Sequence, residues 1–274
     1  MSKGRIIIIV IASLAVLVSG FMLLRTELAY KRAEEEYAGL EQYAVKGKGK
    51  ETPAPSEAEK PAEEEEEEKV LKRNYNRADF PDITVDHLAL SRINKSYVCW
   101  LYAPGAEINH PVVQTTDNEF YLNHTFEMQN NFAGCVFMDY DVDPMLTSWN
   151  TFFYGHNMKN GTMFGHLKNY INNKEVYDKD PYIYVFRPEG IYRYEIFSFY
   201  LDPTDSKMYY TCHTFKEYRA YLREATKKSV RECTAKSDPD TNIITLVTCS
   251  GSGSNKQRFF VHAMFKDYYP LTAD

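Results

Sequence analysis

A run of nineteen residues without a charge, from Ile6 to Leu24, most restricts how this 274-residue chain can fold. At the rise of an α-helix, nineteen residues reach about 28 Å, close to the ~30 Å hydrocarbon thickness of a bilayer. A cleaved signal peptide would normally have a shorter apolar region, of about 7–15 residues, followed by a small-x-small cleavage site. We therefore expect a retained transmembrane anchor. Basic residues lie on both sides of the run, so charge alone does not fix its orientation; a short tail inside and the large domain outside is the simpler arrangement.

The acidic residues are concentrated in one segment. The net charge is −6, and Glu51 to Lys69 holds nine Glu and two Lys, which leaves +1 for the rest of the chain. Like charges mixed with Pro and Ala cannot bury enough apolar area to fold, so we expect a solvated segment. A nearly neutral remainder does not indicate a nucleic-acid partner. We expect a cytoplasmic tail and transmembrane anchor at 1–25, an acidic extended spacer, partly helical, at 26–75, and a single folded domain at 76–274.

The folded part contains short aromatic and β-branched runs bounded by Gly, Pro and Asn, a pattern typical of β-strands. A capping-box pattern and apolar residues at three- and four-residue spacing predict a helix at Thr214–Ser229. A looser apolar stripe from Ile83 to Ile93 predicts another helix. Six or more strands without regular βαβ alternation favour a mostly antiparallel β-barrel or sandwich with peripheral helices. The expected strands are Val98–Tyr102, one starting at His110, Gly134–Tyr140, Asn150–Gly155, a hairpin within Tyr182–Leu201, Ile243–Thr248 and Phe259–Phe265.

The cysteines are five in number and scattered, so at least one thiol is free unless chains cross-link. None forms a C-x-x-C pair or lies at metal-ligand spacing from a histidine, so we expect no metal site and no organic cofactor. Most are expected to be small buried side chains, whereas one free thiol in an exported domain is what a nucleophile requires. The five positions are Cys99, Cys135, Cys212, Cys233 and Cys249.

The stretch TLVTCSGSGSNKQRFF places Cys249 at the end of one expected strand and Arg258 at the start of the next. Two consecutive strands joined by a short loop normally form an antiparallel hairpin, in which opposed residues have Cβ atoms about 5 Å apart. A guanidinium beside a thiol favours the nucleophilic thiolate and can stabilise negative charge on a carbonyl oxygen under attack. On spacing alone, a buried Cys and a solvated Arg remain the commoner outcome.

A thiol nucleophile also requires a base, normally a histidine. By strand alternation, His262 lies on the same face as Arg258. His156 follows an apolar strand and a glycine, where a side chain can project from the strand end, and His166 lies in an expected helix turn. Periodicity does not choose between His156 and His262.

Several stretches resemble one family. TLVTC, followed nine residues later by Arg258, resembles the TLxTC…R signature of sortases. NTFFYGHNMKNGTMFGHLKNY, Asn150 to Tyr170, resembles the YGHNM segment of class B sortases. INHPVVQTTDNEFYLNHTF and GCVFMDY resemble the preceding strands and loop, and the expected helix at Thr214–Ser229 falls where class B members carry one. The resemblance extends over Asp79 to Phe265.

This resemblance implies a sortase-like eight-stranded β-barrel and a cysteine transpeptidase. It implies that Cys249 is the nucleophile, His156 the general acid/base and Arg258 the residue that orients substrate and stabilises the oxyanion. Thr248, and Ser250 with it, would contact the peptide; the Ser-Gly-Ser that follows the cysteine departs from many class B members and leaves the preferred signal open.

The implied substrate is the C-terminal sorting signal of a surface protein or pilin, cleaved after Thr. The implied acceptor is a peptidoglycan precursor amine or a pilin lysine, and the enzyme would act at the cell membrane with its catalytic domain outside. Two other functions remain: a cysteine peptidase that passes the acyl group to water, and a non-catalytic envelope-binding domain.

Overall fold

The computed structural model describes residues 3–47, 76–249 and 257–271, with Cys249 described by its backbone. Eight strands form a closed barrel: β3 Tyr97–Ala103, β4 Ile108–Val113, β5 Val136–Met138, β6 Asn150–His156, β7 Tyr182–Arg187, β8 Gly190–Pro203, β9 Ile243–Cys249 and β10 Gln257–Pro270. Their order around the barrel is β10-β8-β7-β3-β4-β5-β6-β9. This confirms the eight-stranded barrel expected from the resemblance.

Most neighbouring strands are antiparallel, but β4 pairs with β5 and β6 pairs with β9 in parallel. Two parallel strands end at the same edge of a sheet. The carboxyl ends of β6 and β9 therefore lie side by side at one end of the barrel, although about ninety residues separate them along the chain.

The expected strands all occur, several of them longer than the sequence pattern indicated, with β8 and β10 each reaching fourteen residues. The expectation of one helix from Ile83 to Ile93 is wrong for its first turn. Ile83–Val85 is a short strand, β2, and the helix α2 comprises only His87–Ile93. Asp86 caps this helix through its carboxylate, which accepts from the Ala89 N–H at 2.8 Å. Ile83 is apolar because it is buried in a strand pair, which a helical periodicity search cannot distinguish.

Helix α5, Phe215–Lys228, confirms the helix expected from its capping box; the short helices α3, Asn169–Asn172, and α4, Lys174–Lys179, precede it. The Thr214 hydroxyl accepts from the Glu217 N–H, and the Glu217 carboxylate accepts from the Thr214 N–H at 3.0 Å. The buried face of α5 packs on the outside of the barrel and forms a second apolar cluster with strand residues. This cluster includes Tyr218, Tyr221, Leu222 and Ala225 of the helix and Phe152, Val247, Phe260 and Met264 of the strands.

The N-terminal helix α1 is continuous from Lys3 to Leu40 and is long and apolar enough to span a membrane. Its last turns are buried against the barrel domain through Ala33, Tyr37 and Leu40. The chain then forms β1, Ala44–Lys46, which pairs antiparallel with β2. Part of the segment expected as a spacer is thus in contact with the folded domain.

The acidic segment, Glu51 to Lys69, lies outside the described residues. The Gly47 N–H donates to the Asp82 carbonyl at 2.8 Å, next to the β1–β2 pair. β1 therefore contacts the folded domain before the acidic residues begin.

Candidate active site

The carboxyl ends of β6 and β9 bring together two residues that the sequence identified separately. In the parallel register of these strands, His156 is the partner of Cys249, and Gly155 is the partner of Thr248. Gly155 allows the close approach of a neighbouring ring, because a Cβ at this position would lie 2.7 Å from Phe164. The tight packing behind Gly155 helps to fix the backbone from which the imidazole projects.

The imidazole of His156 is 8% exposed, and its Nε2 lies 2.8 Å from the Leu122 carbonyl oxygen. A carbonyl only accepts, so Nε2 carries the proton and donates. Burial lowers the pKa of His156 below its ordinary value; the Leu122 hydrogen bond opposes this shift, and the charge of Arg258 adds to it. The neutral imidazole therefore predominates near pH 7, with Nδ1 as its basic nitrogen.

Arg258 lies in β10, which pairs with β9 on the side away from β6. Phe260 is the partner of Val247, and continuing this register by two residues brings Arg258 level with Cys249. Its guanidinium is partly exposed and lies near enough to His156 to influence the pKa of the imidazole. Within the described ranges, no carboxylate forms an ion pair with Arg258.

The register partner of Arg258 on β8 is Asp202, a buried carboxylate that is already engaged. Lys228 donates to it at 3.0 Å, and the Ser206 hydroxyl also donates to it. These bonds hold the segment after β8. Arg258 forms no ion pair with Asp202 and lines the cleft.

The cleft beside Arg258 has a volume of about 470 Å³. It is lined on one side by residues that follow β8 and on the other by residues of the β5–β6 region. Its lining residues are Asn118, Leu122, Phe137, Tyr154, Thr204, Asp205, Ser206, Tyr209, Thr248 and Arg258. A cleft with several aromatic lining residues and few charges suits a peptide.

Thr248 is 4% exposed, and its hydroxyl accepts from the Phe259 N–H at 2.9 Å. This bond joins the ends of β9 and β10 on either side of the connecting loop. Its contact with a peptide remains a prediction. Ser250 and the rest of that loop, 250–256, lie outside the described residues.

A family profile described as "Sortase domain" matches residues 101–266. The chain belongs to the sortase family. Sortase B of Listeria monocytogenes is 33% identical over 163 residues, which are 58% of this chain and 65% of that protein. The match thus spans just under two thirds of the length of the Listeria protein.

Solved structures of sortase B resemble this sortase over the barrel. The Clostridium perfringens sortase B structure aligns with a TM-score of 0.61 and 31% identity, covering 66% of this chain and all of the other. A Staphylococcus aureus sortase B–substrate complex aligns with a TM-score of 0.66 and 25% identity, covering 87% and 98% of the two chains. The likeness to class B sortases inferred from the sequence is confirmed.

His262, the other strand histidine considered for this sortase, is buried and hydrogen-bonded inside the fold. His262 is fully buried under α5, with Nδ1 2.9 Å from the Thr245 hydroxyl and Nε2 2.9 Å from the Tyr200 hydroxyl. Burial lowers its pKa to about 3. Strand alternation correctly put it on the face of Arg258, but that face lies beneath the helix and not in the cleft at this position. The Nδ1 atom of His166 lies 3.0 Å from a carboxylate oxygen of Glu107.

The four cysteines other than Cys249 are free and buried. Burial raises the pKa of the Cys99, Cys135 and Cys212 thiols to about 12, and it also raises that of Cys233. Such thiols remain protonated near neutral pH and are poor nucleophiles. Among residues 3–47, 76–249 and 257–271, no cluster of His, Cys, Asp or Glu has the arrangement of a metal site; the absence of a cofactor stays a prediction.

The partner that orients His156 is not evident from the sequence. Leu122 supplies a backbone carbonyl, so its side-chain type carries no signal for this contact. The cleft residues Thr204, Asp205 and Ser206 are not evident either, because their polar side chains are typical of an ordinary loop. A sheet register was needed to bring both segments to the cleft.

Proposed function

We propose that this chain is a membrane-anchored cysteine transpeptidase that cleaves a C-terminal sorting signal after Thr and transfers the new carboxyl end to an amine. The observation that carries the proposal is the parallel register of β6 and β9, in which His156 is the partner of Cys249. Arg258 on the other neighbour of β9 supplies a cation to the same end of the barrel. These are the three functional types of residue that acyl transfer through a thiol requires.

In the first half-reaction, the Cys249 sulfur attacks the carbonyl carbon of the scissile Thr–x bond. The thiol proton passes to His156 as the sulfur becomes nucleophilic, the C–N bond breaks, a thioester forms, and the resulting imidazolium gives that proton to the leaving amine. Because Nε2 is engaged with Leu122, Nδ1 is the nitrogen that exchanges this proton. The guanidinium of Arg258 stabilises the thiolate and the negative charge on the tetrahedral oxygen.

In the second half-reaction, an acceptor amine attacks the thioester carbon. His156 removes the excess proton from this amine, the new C–N bond forms, and the Cys249 sulfur leaves. The acceptor is a peptidoglycan precursor amine or a pilin lysine, both of which are primary amines. The likeness of this chain to the Staphylococcus aureus sortase B–substrate complex supports a related substrate for the same cleft.

The enzyme is proposed to lie at the cell membrane as a single-pass protein with its catalytic domain outside. The support is the continuous helix α1, whose apolar part is unburied in the structure and whose end docks on the barrel. Thr248 and Ser250 are proposed to contact the peptide. The boundaries at 25/26 and 75/76 remain part of this proposal.

Mass spectrometry of the full chain in detergent with candidate sorting peptides tests the function. We expect a thioester adduct on Cys249 and, with an added amine such as triglycine, a ligated product. Cys249→Ala should abolish both, with at least a ~10³-fold loss of the product rate, whereas Cys233→Ala should retain them.

Three outcomes distinguish the functions. Adduct and ligated product support a transpeptidase. Adduct with only hydrolysed product, at saturating amine, indicates a peptidase. Absence of an adduct with every peptide, in a protein whose fold is intact by circular dichroism, would leave only the envelope-binding function.

A further inference from the structure

The base of helix α1 reaches a loop that belongs to the candidate active site. This loop, residues 120–135, connects the end of β4 to β5 and contains Leu122, whose carbonyl accepts from His156. Asn131 of the loop donates to the Ala29 carbonyl at 2.9 Å, and the Glu127 N–H donates to Glu36 at 2.9 Å. The helix and the loop are therefore joined by several hydrogen bonds.

Tyr37 lies at the centre of this contact and is 5% exposed. Its hydroxyl donates to the Gly134 carbonyl at 2.7 Å and accepts from the Phe126 N–H at 3.2 Å. One hydroxyl thus joins the middle of the loop, at Phe126, to its C-terminal end, at Gly134. Burial raises the pKa of Tyr37 well above its ordinary value, so the hydroxyl keeps its proton at any working pH.

Gly134 links this hydroxyl to the catalytic histidine. Its backbone has φ +60, and a Cβ here would lie 3.0 Å from the His156 ring, 2.9 Å from the Leu122 carbonyl oxygen and 2.5 Å from that of Tyr121. The side of Gly134 that would carry a Cβ therefore lies against both the imidazole and the Leu122 carbonyl to which Nε2 donates. A displacement of Gly134 would change both contacts.

We propose that Tyr37 is a positioning residue for His156: it fixes Gly134 and the Leu122 carbonyl, and so holds the imidazole in the orientation and tautomer that proton transfer needs. The proposal rests on the proposed role of His156 as general acid/base. It makes the membrane-proximal helix part of the active-site support, in addition to its role as an anchor.

The contacts of the Tyr37 hydroxyl indicate how much its removal should lower kcat. Removal of the Tyr37 hydroxyl leaves the Gly134 carbonyl and the Phe126 N–H without a buried partner, which favours rearrangement of the loop. A small misplacement of a catalytic group can lower a rate by one to two orders of magnitude. We expect kcat to fall about tenfold while KM for the peptide changes less than about twofold.

Tyr37→Phe is the test variant, because it removes one oxygen and keeps the ring. Tyr30→Phe is the matched control on the same helix, since the Tyr30 ring packs on Phe132 at 4.7 Å and, within the described residues, its hydroxyl makes no hydrogen bond. Both variants are made in the full chain in detergent. The readouts are kcat and KM with a sorting peptide, the thermal midpoint, and the pKa and ring tautomer of His156 by NMR with labelled histidine.

In Tyr37→Phe, the pKa of His156 should rise toward its ordinary value because water reaches the ring. The fraction of neutral imidazole that carries its proton on Nε2 should also change. Tyr30→Phe should leave both the pKa and this fraction unchanged. The NMR measurement is made in a Cys249→Ala background, so it does not depend on activity. A lower thermal midpoint with an unchanged His156 titration, tautomer and kcat would overturn the proposal, because Tyr37 would then be structural only. If the unmodified chain shows no activity with any peptide, the proposed function fails, while the NMR titration still decides whether Tyr37 positions His156.

Discussion

Burial and hydrogen bonding determine the protonation of the histidines and cysteines in this chain. His156 and His262 are both buried histidines, yet His156 donates to Leu122, which lines the cleft, and His262 lies under a helix between two hydroxyls. The Leu122 carbonyl holds Nε2 of His156 and leaves Nδ1 outside that hydrogen bond. Burial raises the pKa of the Cys99, Cys135, Cys212 and Cys233 thiols, so these four stay protonated near neutral pH.

Arg258 is expected to lower the pKa of His156, because a nearby cation disfavours the imidazolium. In Arg258→Gln, the pKa of His156 should therefore rise, and the imidazolium fraction at pH 6–7 should increase. NMR titration of labelled histidine in a Cys249→Ala background measures this shift without interference from the thiol. Arg219→Gln, on the outer helix, should leave the titration unchanged; an equal shift in both variants would contradict the assignment.

At the scale of elements, the parallel pairs β4–β5 and β6–β9 determine the position of the site. Helix α5 covers part of the outer surface of the barrel. The register of β6 and β9 pairs His156 with Cys249, and the Thr248 hydroxyl fastens β9 to β10. Helix α5 covers Phe260 and Val247, which would otherwise be an exposed apolar face. The start of α5 is fixed by its capping box.

Thr214→Ala should lower the free energy of unfolding by about 1 kcal/mol, because it removes the side-chain acceptor for the Glu217 N–H at the helix start. Chemical denaturation at neutral pH measures this change. Lys216→Ala, on the exposed first turn of the same helix, should change the stability by less than about 0.5 kcal/mol. Equal effects of the two substitutions would show that the cap is not what stabilises this end.

For the whole molecule, neutral histidines that are buried or half-buried contribute to the response to acid. The pKa of His262 is lowered to about 3, and those of His87 and His110 to about 4. In the unfolded chain these groups titrate near 6.5, so between about pH 6.5 and pH 4 the unfolded state binds more protons than the folded state. The free energy of unfolding is therefore highest above pH 6.5 with respect to these groups. It falls by about 1.4 kcal/mol per pH unit for each histidine as the pH is lowered through this range.

His262→Gln should reduce the slope of unfolding free energy against pH by about one proton between pH 6.5 and 4, whatever its effect on absolute stability. Urea unfolding at a series of pH values measures the slope. A slope identical to that of the unmodified chain would mean that His262 titrates normally in the fold.

The docking of α1 gives a second prediction for the whole molecule. A fragment of residues 26–274 should unfold at a higher temperature than one of residues 76–274, because only the former buries Ala33, Tyr37 and Leu40 and pairs β1 with β2. A fully buried side chain of the size of Leu40 contributes about 1.5–3 kcal/mol. Calorimetry of the two fragments measures the difference, and equal midpoints would mean that the helix base does not stabilise the barrel.

The sequence by itself determined the strands, the helix α5 with its cap, and the apolar span, since each depends on local periodicity or on the length of an apolar run. Strand spacing predicted that Cys249 and Arg258 lie together, whereas His156 was preferred over His262 only through a family resemblance, because alternation within one strand cannot tell a face under a helix from a face in a cleft. Only the tertiary structure shows that the Leu122 carbonyl accepts from His156 and that the Tyr37 hydroxyl donates to Gly134 beside it. The reason is physical: these contacts use backbone carbonyls brought to their partners across 34 and 97 residues of chain, and a backbone carbonyl leaves no periodic or compositional trace in the sequence.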